Sequence, residues 1–288
     1  MDAYLRLVQH ILEKGERKEN RTGVPALTLP GMIFEHDLST GFPLLTTKKI
    51  PFRLIASELQ FFIQGRTDKR WLQEQENHIW DEWCNPEKVP YGHDPETKKN
   101  MREERDLGPI YGFQWRHFGA TYKGYDHSHT AEGVDQLQKV VQSLKTNPQD
   151  RRMIVSAWNP LQLQQMALPP CHYQFQVTVI NGKLNLLWSQ RSVDTMLGLP
   201  FNIASYALLL HLLSQETGLQ EGRLTGFLGD VHIYENHVGG AQEQLLRKPK
   251  MLPRIKTENF TSIFSWDYRQ TQLEGYDSHP RIAFEVAV

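Results

Sequence analysis

Residues 171–190 read CHYQFQVTVINGKLNLLWSQ, and this stretch decides the fold of the second half of the chain. Two segments rich in β-branched and apolar residues flank Asn181-Gly182, the pair that favours a type I′ turn. The sequence therefore predicts a β-hairpin with strands over 172–180 and 183–190. Two prolines precede Cys171, so a thiol stands at the mouth of this hairpin on a backbone whose φ is fixed twice.

Apolar spacing outward from the hairpin predicts the other elements. Helical periodicity predicts helices over 2–14, from Pro51 onward, over 132–146 and over 202–214, the last being the longest apolar one. Further strands are predicted over 26–35, 153–156 and 226–234. The stretch 85–106 is polar, charged and contains three prolines, which indicates an exposed surface insertion rather than a linker between domains.

The composition excludes several classes of protein. The chain has 288 residues with 32 basic and 33 acidic side chains, so no bulk field draws it to nucleic acid or to a membrane surface. Two cysteines, Cys84 and Cys171, form neither a disulfide framework nor a cysteine-rich zinc site. The residues 127–129 read His-Ser-His and indicate a solvated loop, and no metal is expected. No signal peptide or membrane span is recognised, and a cytoplasmic location is expected.

Cys171 is the first candidate for chemistry. The thiolate is the reactive form of cysteine, and a free thiol titrates at about 8.5, so nearby positive charge is needed to populate it at neutral pH. Arg191 would supply this charge, and Ser192, Asp194 and Asn202 follow as readers of an anion or an amide. The pattern indicates a nucleophile beside a substrate site, against the alternative of a buried, inert cysteine at a strand start.

A set of short motifs then occurs in one order along the chain. In the first half they are NRTG at 20–23, FPLLTTK at 42–48, IWDEW at 79–83 and LGPIYG at 107–112. In the second half they are RR at 151–152, PCH at 170–172, QRS at 190–192, LPFN at 199–202 and DVHIY at 230–234. Through these motifs the whole chain resembles the thymidylate synthase family.

The resemblance implies an α+β fold in a single domain, residues 1–288, with a mixed β-sheet flanked by helices. One face of the sheet would form a homodimer interface. It also implies reductive methylation of dUMP at C5, in which 5,10-methylenetetrahydrofolate supplies the carbon and the hydride and becomes dihydrofolate. The Cys171 thiolate would add to C6 of uracil and thereby make C5 nucleophilic.

Four other residues match catalytic positions of the family. Glu58, in an apolar helix, would organise water and transfer protons near C5 and O4, with a pKa raised by burial. Asn202 would read N3–H and O4 of uracil, where a carboxylate would suit cytosine better. Tyr111 would lie between the nucleophile and the reacting carbon. His172 is a candidate for acid–base work or for a structural role. Without the resemblance, Asn202 would be a plain helix N-cap and Glu58 a helix-face carboxylate paired with a neighbour.

The nucleotide-binding positions implied by the resemblance include residues from both halves of the chain. They are Arg21, Arg191, Ser192, Asn202, His232 and Tyr234. Arg151 and Arg152 match a pair that this family supplies to the phosphate from the neighbouring subunit, which implies a homodimer. Read alone, the same pair would be a solvated charge pair at a strand start.

The resemblance also implies folate contacts. Trp80 would offer an aromatic face, Leu197 an aliphatic wall, and Asp194 an acceptor for the pterin N–H groups. Lys48 would meet the glutamate tail as a mobile charge. The remaining positions are Gly198 and the apolar terminal residue Val288. Trp83 is expected in the core.

Three other functions compete with this interpretation. A cysteine hydrolase would pair Cys171 with His172, but adjacent residues on a strand point to opposite faces. A catalytically silent nucleotide- or RNA-binding relative conflicts with the nucleophile and with the near-zero charge. A pyrimidine hydroxymethylase is the strongest alternative. It would leave tetrahydrofolate unoxidised, so formation of dihydrofolate separates the two reactions.

Overall fold

A computed structural model describes residues 2–285 of the chain. The helices are α1 (Asp2–Lys14), α2 (Phe52–Ile63), α3 (Arg70–Glu74), α4 (Pro95–Glu103), α5 (Tyr111–His117), α6 (Gln136–Thr146), α7 (Gly198–Thr217) and α8 (Val238–Leu246). The strands are β1 (Glu16–Lys18), β2 (Ala26–Asp37), β3 (Ile154–Ser156), β4 (His172–Ile180), β5 (Lys183–Asp194), β6 (Gln220–Tyr234), β7 (Arg254–Thr257) and β8 (Thr271–Glu274). The fold is α+β, as predicted.

The predicted hairpin forms the middle of the main sheet. Asn181 and Gly182 have φ angles of 51° and 73°, the left-handed values that a type I′ turn requires. The six strands lie in the order β1-β2-β6-β5-β4-β3, and β7 and β8 form a separate pair. Strands β5 and β6 are parallel and the other neighbours are antiparallel, so the sheet is mixed. Helix α7 makes the crossover that a parallel pair needs.

One face of the main sheet, here called the closed face, is buried under α7. Its central row, taken across the strands in register, is Phe34, Gly226, Trp188, Phe175 and Val155, all of them buried. Tyr206 of α7 stacks on Trp188, with ring centroids 5.4 Å apart. Gly226 has no room for a side chain, since a Cβ there would lie 2.4 Å from the Trp188 ring. Each large apolar side chain in this row stabilises the fold by roughly 1.5–3 kcal/mol.

The opposite face, here called the open face, carries apolar side chains that the chain itself leaves exposed. Ile33 and Phe227 are neighbours in the β2–β6 register and are 60% and 45% exposed. Ile154 pairs with Gln176, and Ile180 follows Gln176 four positions along the same strand face, so both point to the same side. The open face therefore presents apolar residues from four strands.

Several element boundaries differ from the sequence prediction. Helix α6 begins at Gln136 rather than at 132, because the Asp135 side chain caps it by accepting from the Gln138 N–H at 2.9 Å. Helix α7 begins at Gly198, so Asn202 lies beyond its first turn and is not an N-cap. The stretch 85–106 is more ordered than an exposed insertion, since it contains α4 and buries both Met101 and Asp106.

Candidate active site

A cleft of about 660 Å³ opens at the carboxyl ends of β5 and β6. Six residues predicted from the sequence or its resemblance line it, namely Cys171, Arg21, Arg191, Ser192, His232 and Tyr234. The parallel pairing of the two strands brings Ser192 beside Asp230 and Asp194 beside His232. Residues from distant parts of the chain thus converge on one thiol.

Backbone hydrogen bonds hold Cys171 on both sides. Its N–H donates to the Tyr111 hydroxyl at 2.9 Å, and its carbonyl accepts from the Arg191 N–H at 2.8 Å. Burial raises the pKa of the Cys171 thiol, while the charges of Arg191 and Arg21 act to lower it. Arg191 therefore supplies the field that the sequence predicts, but in the free chain desolvation outweighs it.

The two prolines before Cys171 position Arg191 as well. The guanidinium donates to the carbonyls of Pro170 and Pro169 at 3.0 and 2.8 Å. These two bonds fix the plane of the group and use only part of its five N–H donors. The other donors are available to an anion in the cleft, such as a phosphate.

Arg21 comes from a loop that Asn20 orders. The Asn20 side-chain oxygen accepts from the N–H and the hydroxyl of Thr22 at 2.9 and 2.6 Å, and its amide donates to the Val24 carbonyl at 2.7 Å. This Asx turn presents Arg21 at the exposed edge of the cleft. The cleft thus holds two guanidinium groups, Arg21 and Arg191, that lie 170 positions apart in the sequence.

Glu58 is the titratable group whose environment best suits proton transfer. Its carboxylate accepts a hydrogen bond from Trp80 Nε1 at 2.7 Å. Desolvation raises the pKa of Glu58 to about 7, and the Trp80 hydrogen bond lowers it only in part. The predicted upward shift is confirmed. A carboxyl group that titrates near neutral pH can both give and accept a proton.

His172 is arranged for a structural role. Its Nδ1 lies 2.9 Å from the Tyr206 hydroxyl on the α7 side of the strand, and its ring stacks on Tyr111 with centroids 4.2 Å apart. Burial lowers the pKa of His172 to about 3, so the imidazole is neutral at physiological pH. A group with this pKa is a poor proton donor near pH 7.

Gln190 orients Asn202, a role that the sequence interpretation missed. Its side-chain amide donates to Asn202 Oδ1 at 3.0 Å, while its own oxygen accepts from Trp188 Nε1 at 3.2 Å. With Oδ1 held in this way, the Asn202 amide N–H groups are free to donate to a carbonyl. The available signal was the glutamine itself, a polar residue at a buried position of an apolar strand.

His232 and Tyr234 share one side of the strand end, as predicted. His232 Nδ1 lies 2.8 Å from Asp230 Oδ1, and its ring meets Tyr234 edge-on with centroids 5.1 Å apart. The Asp230 contact fixes the imidazole so that Nε2 is left for a ligand. Burial raises the pKa of Tyr234, which keeps its hydroxyl protonated and able to donate.

Comparison with known proteins identifies the family to which the chain belongs. The family model described as thymidylate synthase matches residues 2–288. The chain belongs to this family. It is 46% identical over 291 residues to thymidylate synthases from two strains of varicella-zoster virus, covering 99% of this chain and 93% of each viral protein. It is 44% identical over 285 residues to the bifunctional dihydrofolate reductase-thymidylate synthase of Paramecium tetraurelia, of whose length the match spans 61%. Membership of the thymidylate synthase family makes the chain an enzyme that methylates dUMP to dTMP.

The thymidylate synthase positions predicted to contact folate surround the start of α7. Asp194 Oδ1 accepts from the N–H groups of Met196 and Leu197, at 3.0 Å each, and turns the chain into the helix. Leu197 and Gly198 are half-buried there, and Trp80 is buried and donates to the carboxylate of Glu58 on α2. Val288 lies outside the described residues.

One basic residue and one aromatic residue near the folate positions differ from their predictions. Lys48 is only 4% exposed, donates to the Met196 carbonyl and lies 4.5 Å from the centroid of the Phe284 ring. Burial lowers its pKa to about 8. Because Lys48 is buried and hydrogen-bonded to Met196, it is held in place and differs from the mobile charge that was predicted. Trp83 packs only in part against the core. It also lines the cleft, where its ring stacks on Tyr91 with centroids 5.6 Å apart.

Arg151 and Arg152 lie apart from the cleft within one chain. Both are exposed just before β3, and neither lines the cavity that contains Cys171. Arg152 forms an ion pair with Asp150, with Nε and Oδ1 3.0 Å apart. The single chain therefore does not bring these two residues together with the other nucleotide-binding positions. In the portion from 2 to 285, no helix has the length and apolar character needed to cross a membrane.

Proposed function

We propose that the chain methylates dUMP reductively, with 5,10-methylenetetrahydrofolate as co-substrate, through a covalent bond between Cys171 Sγ and C6 of uracil. The observation that supports this most directly is that the Cys171 thiol faces a cleft also lined by Arg21 and Arg191. The folate supplies the carbon and the hydride and leaves as dihydrofolate. No metal takes part in this proposal.

The residues around the cleft match the parts of a nucleotide. Arg21, Arg191 and Ser192 would bind the phosphate, because guanidinium groups pair with a dianion through planar, paired donors. His232 and Tyr234 would bind the deoxyribose 3′-hydroxyl. Asn202 would donate to O4 of uracil and stabilise the enolate that forms when C6 is attacked.

The chemical step would divide between a nucleophile and a carboxyl group. Cys171 adds to C6, and the electron pair of the C5–C6 bond moves into the enolate, so that C5 becomes the nucleophile. Glu58, with its pKa near 7, would transfer protons to and from O4 and C5 through water. Tyr111, already bonded to the Cys171 N–H, would hold the thiol in line with the ring. His172 would support Tyr111 by stacking on it.

The folate would lie against the start of α7. Trp80, Leu197 and Gly198 would form its apolar wall, with Asp194 as the acceptor for pterin N–H groups and Val288 as part of a closing tail. Lys48 would contact the glutamate tail only by giving up its bond to the Met196 carbonyl. The free thiols of Cys84 and Cys171 suit a reducing compartment, and we propose the cytoplasm.

The test of the reaction is a spectrophotometric assay with dUMP and 5,10-methylenetetrahydrofolate. We expect absorbance from dihydrofolate to rise in step with dTMP, measured by chromatography of the same samples. Omission of dUMP is the control. Release of a 5-hydroxymethyl nucleotide without dihydrofolate would contradict the reductive step and favour a hydroxymethylase.

We further propose a homodimer that joins two open faces of the main sheet. Ile33, Phe227, Ile154 and Ile180 expose apolar surface there, and burial of such surface drives stable association. Arg151 and Arg152 stand beside β3 at the edge of this face, so a partner would carry them toward the other chain's cleft. This arrangement explains why a single chain leaves both arginines away from Cys171.

Mixing two inactive variants tests the shared site. We expect Cys171→Ala and Arg151→Glu chains to be inactive alone and to regain activity when mixed, because one site of each mixed dimer combines an intact Cys171 with an intact Arg151. Arg70→Glu, an exposed change on α3, is the matched control and should be active by itself. If heterodimers form and no activity returns, Arg151 acts in its own subunit.

A further inference from the structure

A second cavity, of about 550 Å³, opens between α5 and the loop that leads to α6. Among the described residues, the two cavities have no lining side chain in common. His117, His127 and His129 line the second one, and Glu132 lies beside the latter two. The methylation reaction uses none of these residues. The sequence indicates a solvated loop at the two histidines, and that interpretation missed Glu132, which a local turn brings back to them.

A tight turn gathers His127, His129 and Glu132. The N–H of Glu132 donates to the His129 carbonyl at 2.9 Å, and this turn places the Glu132 carboxylate next to the two imidazoles. One ligand atom from each side chain lies within 4.8 Å of the other two, and His127 Nε2 is 3.3 Å from Glu132 Oε1. Tetrahedral Zn²⁺ with bonds of about 2.1 Å holds its ligand atoms about 3.4 Å apart. Small side-chain rotations would therefore complete the geometry.

A cationic group already occupies the mouth of this cluster. Lys123 Nζ lies 2.8 Å from Glu132 Oε1 and 3.5 Å from His127 Nε2. The ammonium shows that positive charge is favourable at this point. The Lys123 side chain is about half exposed, so it can turn outward into water when another cation takes its place.

The third member of the cluster, His129, is held rigidly. Its ring stacks on Tyr122 and meets Phe113 edge-on, with centroids 5.7 and 4.9 Å apart. Its Nε2 accepts the Lys123 backbone N–H at 3.3 Å, a long hydrogen bond that a metal bond would replace at small cost. A pre-positioned imidazole reduces the ordering that metal binding requires.

We propose that His127, His129 and Glu132 form a binding site for a divalent transition-metal ion. Two imidazoles and one carboxylate, with water in a fourth position, suit Zn²⁺. Binding releases Lys123 to solvent and ties the loop before α6 to the buried ring of His129. The site is separate from the cleft, so the ion stabilises the loop and takes no part in the transfer of the methyl group.

Metal titration of the purified full-length protein tests the site. After treatment with EDTA and dialysis, Zn²⁺ binding is measured by calorimetry, and Co²⁺ binding by the visible absorption of tetrahedral Co²⁺. We expect His127→Ala and Glu132→Gln each to weaken binding by at least about tenfold, since loss of even an outer-shell partner costs that much. We expect Lys123→Ala to tighten binding, because the competing ammonium is gone.

Two controls keep this result specific. His10→Ala removes an exposed histidine of α1 and should leave the affinity unchanged. The titrations are repeated in a Cys171→Ser background, which removes the thiol that could bind Zn²⁺ in the cleft. Turnover of His127→Ala and Glu132→Gln should equal that of the parent. Equal Zn²⁺ affinity in the parent, His127→Ala and Glu132→Gln chains, or no binding in any of them, overturns the proposal.

Discussion

The closed face of the main sheet and helix α2 each bury a titratable group, but burial has opposite consequences for proton transfer by the two groups. Under the closed face, His172 contacts the Tyr206 hydroxyl and its pKa falls to about 3. On α2, Glu58 accepts a hydrogen bond from Trp80 and its pKa rises to about 7. Desolvation is the main cause of both shifts. It takes the pKa of His172 far below neutral pH and brings the pKa of Glu58 close to neutral pH. Burial alone therefore does not suit a group to proton transfer, whereas a pKa that burial brings near neutral pH does.

The largest expected effect is on the nucleophile. We expect Cys171→Ser to lower turnover by at least about 10⁴-fold, because the hydroxyl ionises far less readily than the thiol. Binding of dUMP should be largely retained, and the free energy of unfolding should change by less than about 1 kcal/mol. Steady-state kinetics, equilibrium binding and urea unfolding measure the three quantities. Turnover close to that of the parent would exclude Cys171 as the nucleophile.

The next effect is on the proton carrier. We expect Glu58→Gln to lower kcat by roughly 10²–10⁴-fold, since an amide neither gives nor accepts the proton. The limb of the pH–rate profile near pH 7 should disappear with it. A residual profile that keeps this limb would show that another group titrates there.

The same variant should change stability in a pH-dependent way. The pKa of Glu58 is raised from 4.5 in the unfolded chain to about 7 in the folded one. The folded state thus binds the proton more tightly, and the parent loses stability as pH rises from about 4.5 through 7. Glu58→Gln escapes this loss, so its melting temperature relative to the parent should be higher at pH 8 than at pH 5. A constant difference across this range would contradict the raised pKa.

Asn202→Asp should change substrate preference by about 10- to 100-fold toward dCMP, measured as the ratio of kcat/KM values for dCMP and dUMP. A carboxylate accepts from the exocyclic amine of cytosine, whereas the amide suits the uracil edge. Gln190 can donate to the new side chain as it does to Asn202, so the fold should tolerate the change. An unchanged ratio would mean that Asn202 does not read the base.

A substitution under the closed face should show the reverse pattern, with stability lost and chemistry kept. Gly226→Ala places a Cβ 2.4 Å from the Trp188 ring, and overpacking of this kind costs about 1–3 kcal/mol. Denaturant unfolding measures the loss, and kcat per folded molecule should be retained. Gly239→Ala in α8 is the matched control, because nothing lies within 4 Å of the added carbon. Equal stability of the two variants would contradict the tight packing.

The smallest effect is expected at His172. His172→Asn keeps a polar atom near the position of Nδ1, so turnover should fall by less than about tenfold through the loss of stacking on Tyr111. The pH–rate profile should keep its shape. A displaced limb would give His172 a part in proton transfer and would remove the contrast with Glu58.

The sequence predicted what local chemistry determines. The pair Asn181-Gly182 predicted its turn correctly. Asp135 is a typical N-cap residue, so the start of α6 at Gln136 could also have been predicted from the sequence alone. The start of α7 is harder, because the helix is apolar on all sides and Leu197 at its N-cap makes no side-chain cap hydrogen bond. Asp194 instead accepts from the N–H groups of Met196 and Leu197, before the helix begins.

In the candidate site, the motifs predicted which residues take part, but they could not predict the burial or hydrogen bonds of those residues. The burial of Lys48 follows from the Met196 carbonyl and the ring of Phe284, both far away in the chain. The hydrogen bond from Gln190 to Asn202 likewise joins β5 to α7. Such contacts exist only once the chain has folded, so spacing along the sequence could not reveal them.

The parallel pairing of β5 and β6 also bears on the order in which the molecule acquires its parts. Ser192 meets Asp230, and Asp194 meets His232, only after the whole of α7 has returned across the sheet. Closing so long a segment carries an entropic cost that must be met before the two strands pair, which slows folding. A chain in which β5 and β6 are unpaired therefore lacks the proposed nucleotide site, so dUMP would stabilise only the molecule in which the two strands are paired. The topology of two strands thus couples ligand binding to completion of the fold.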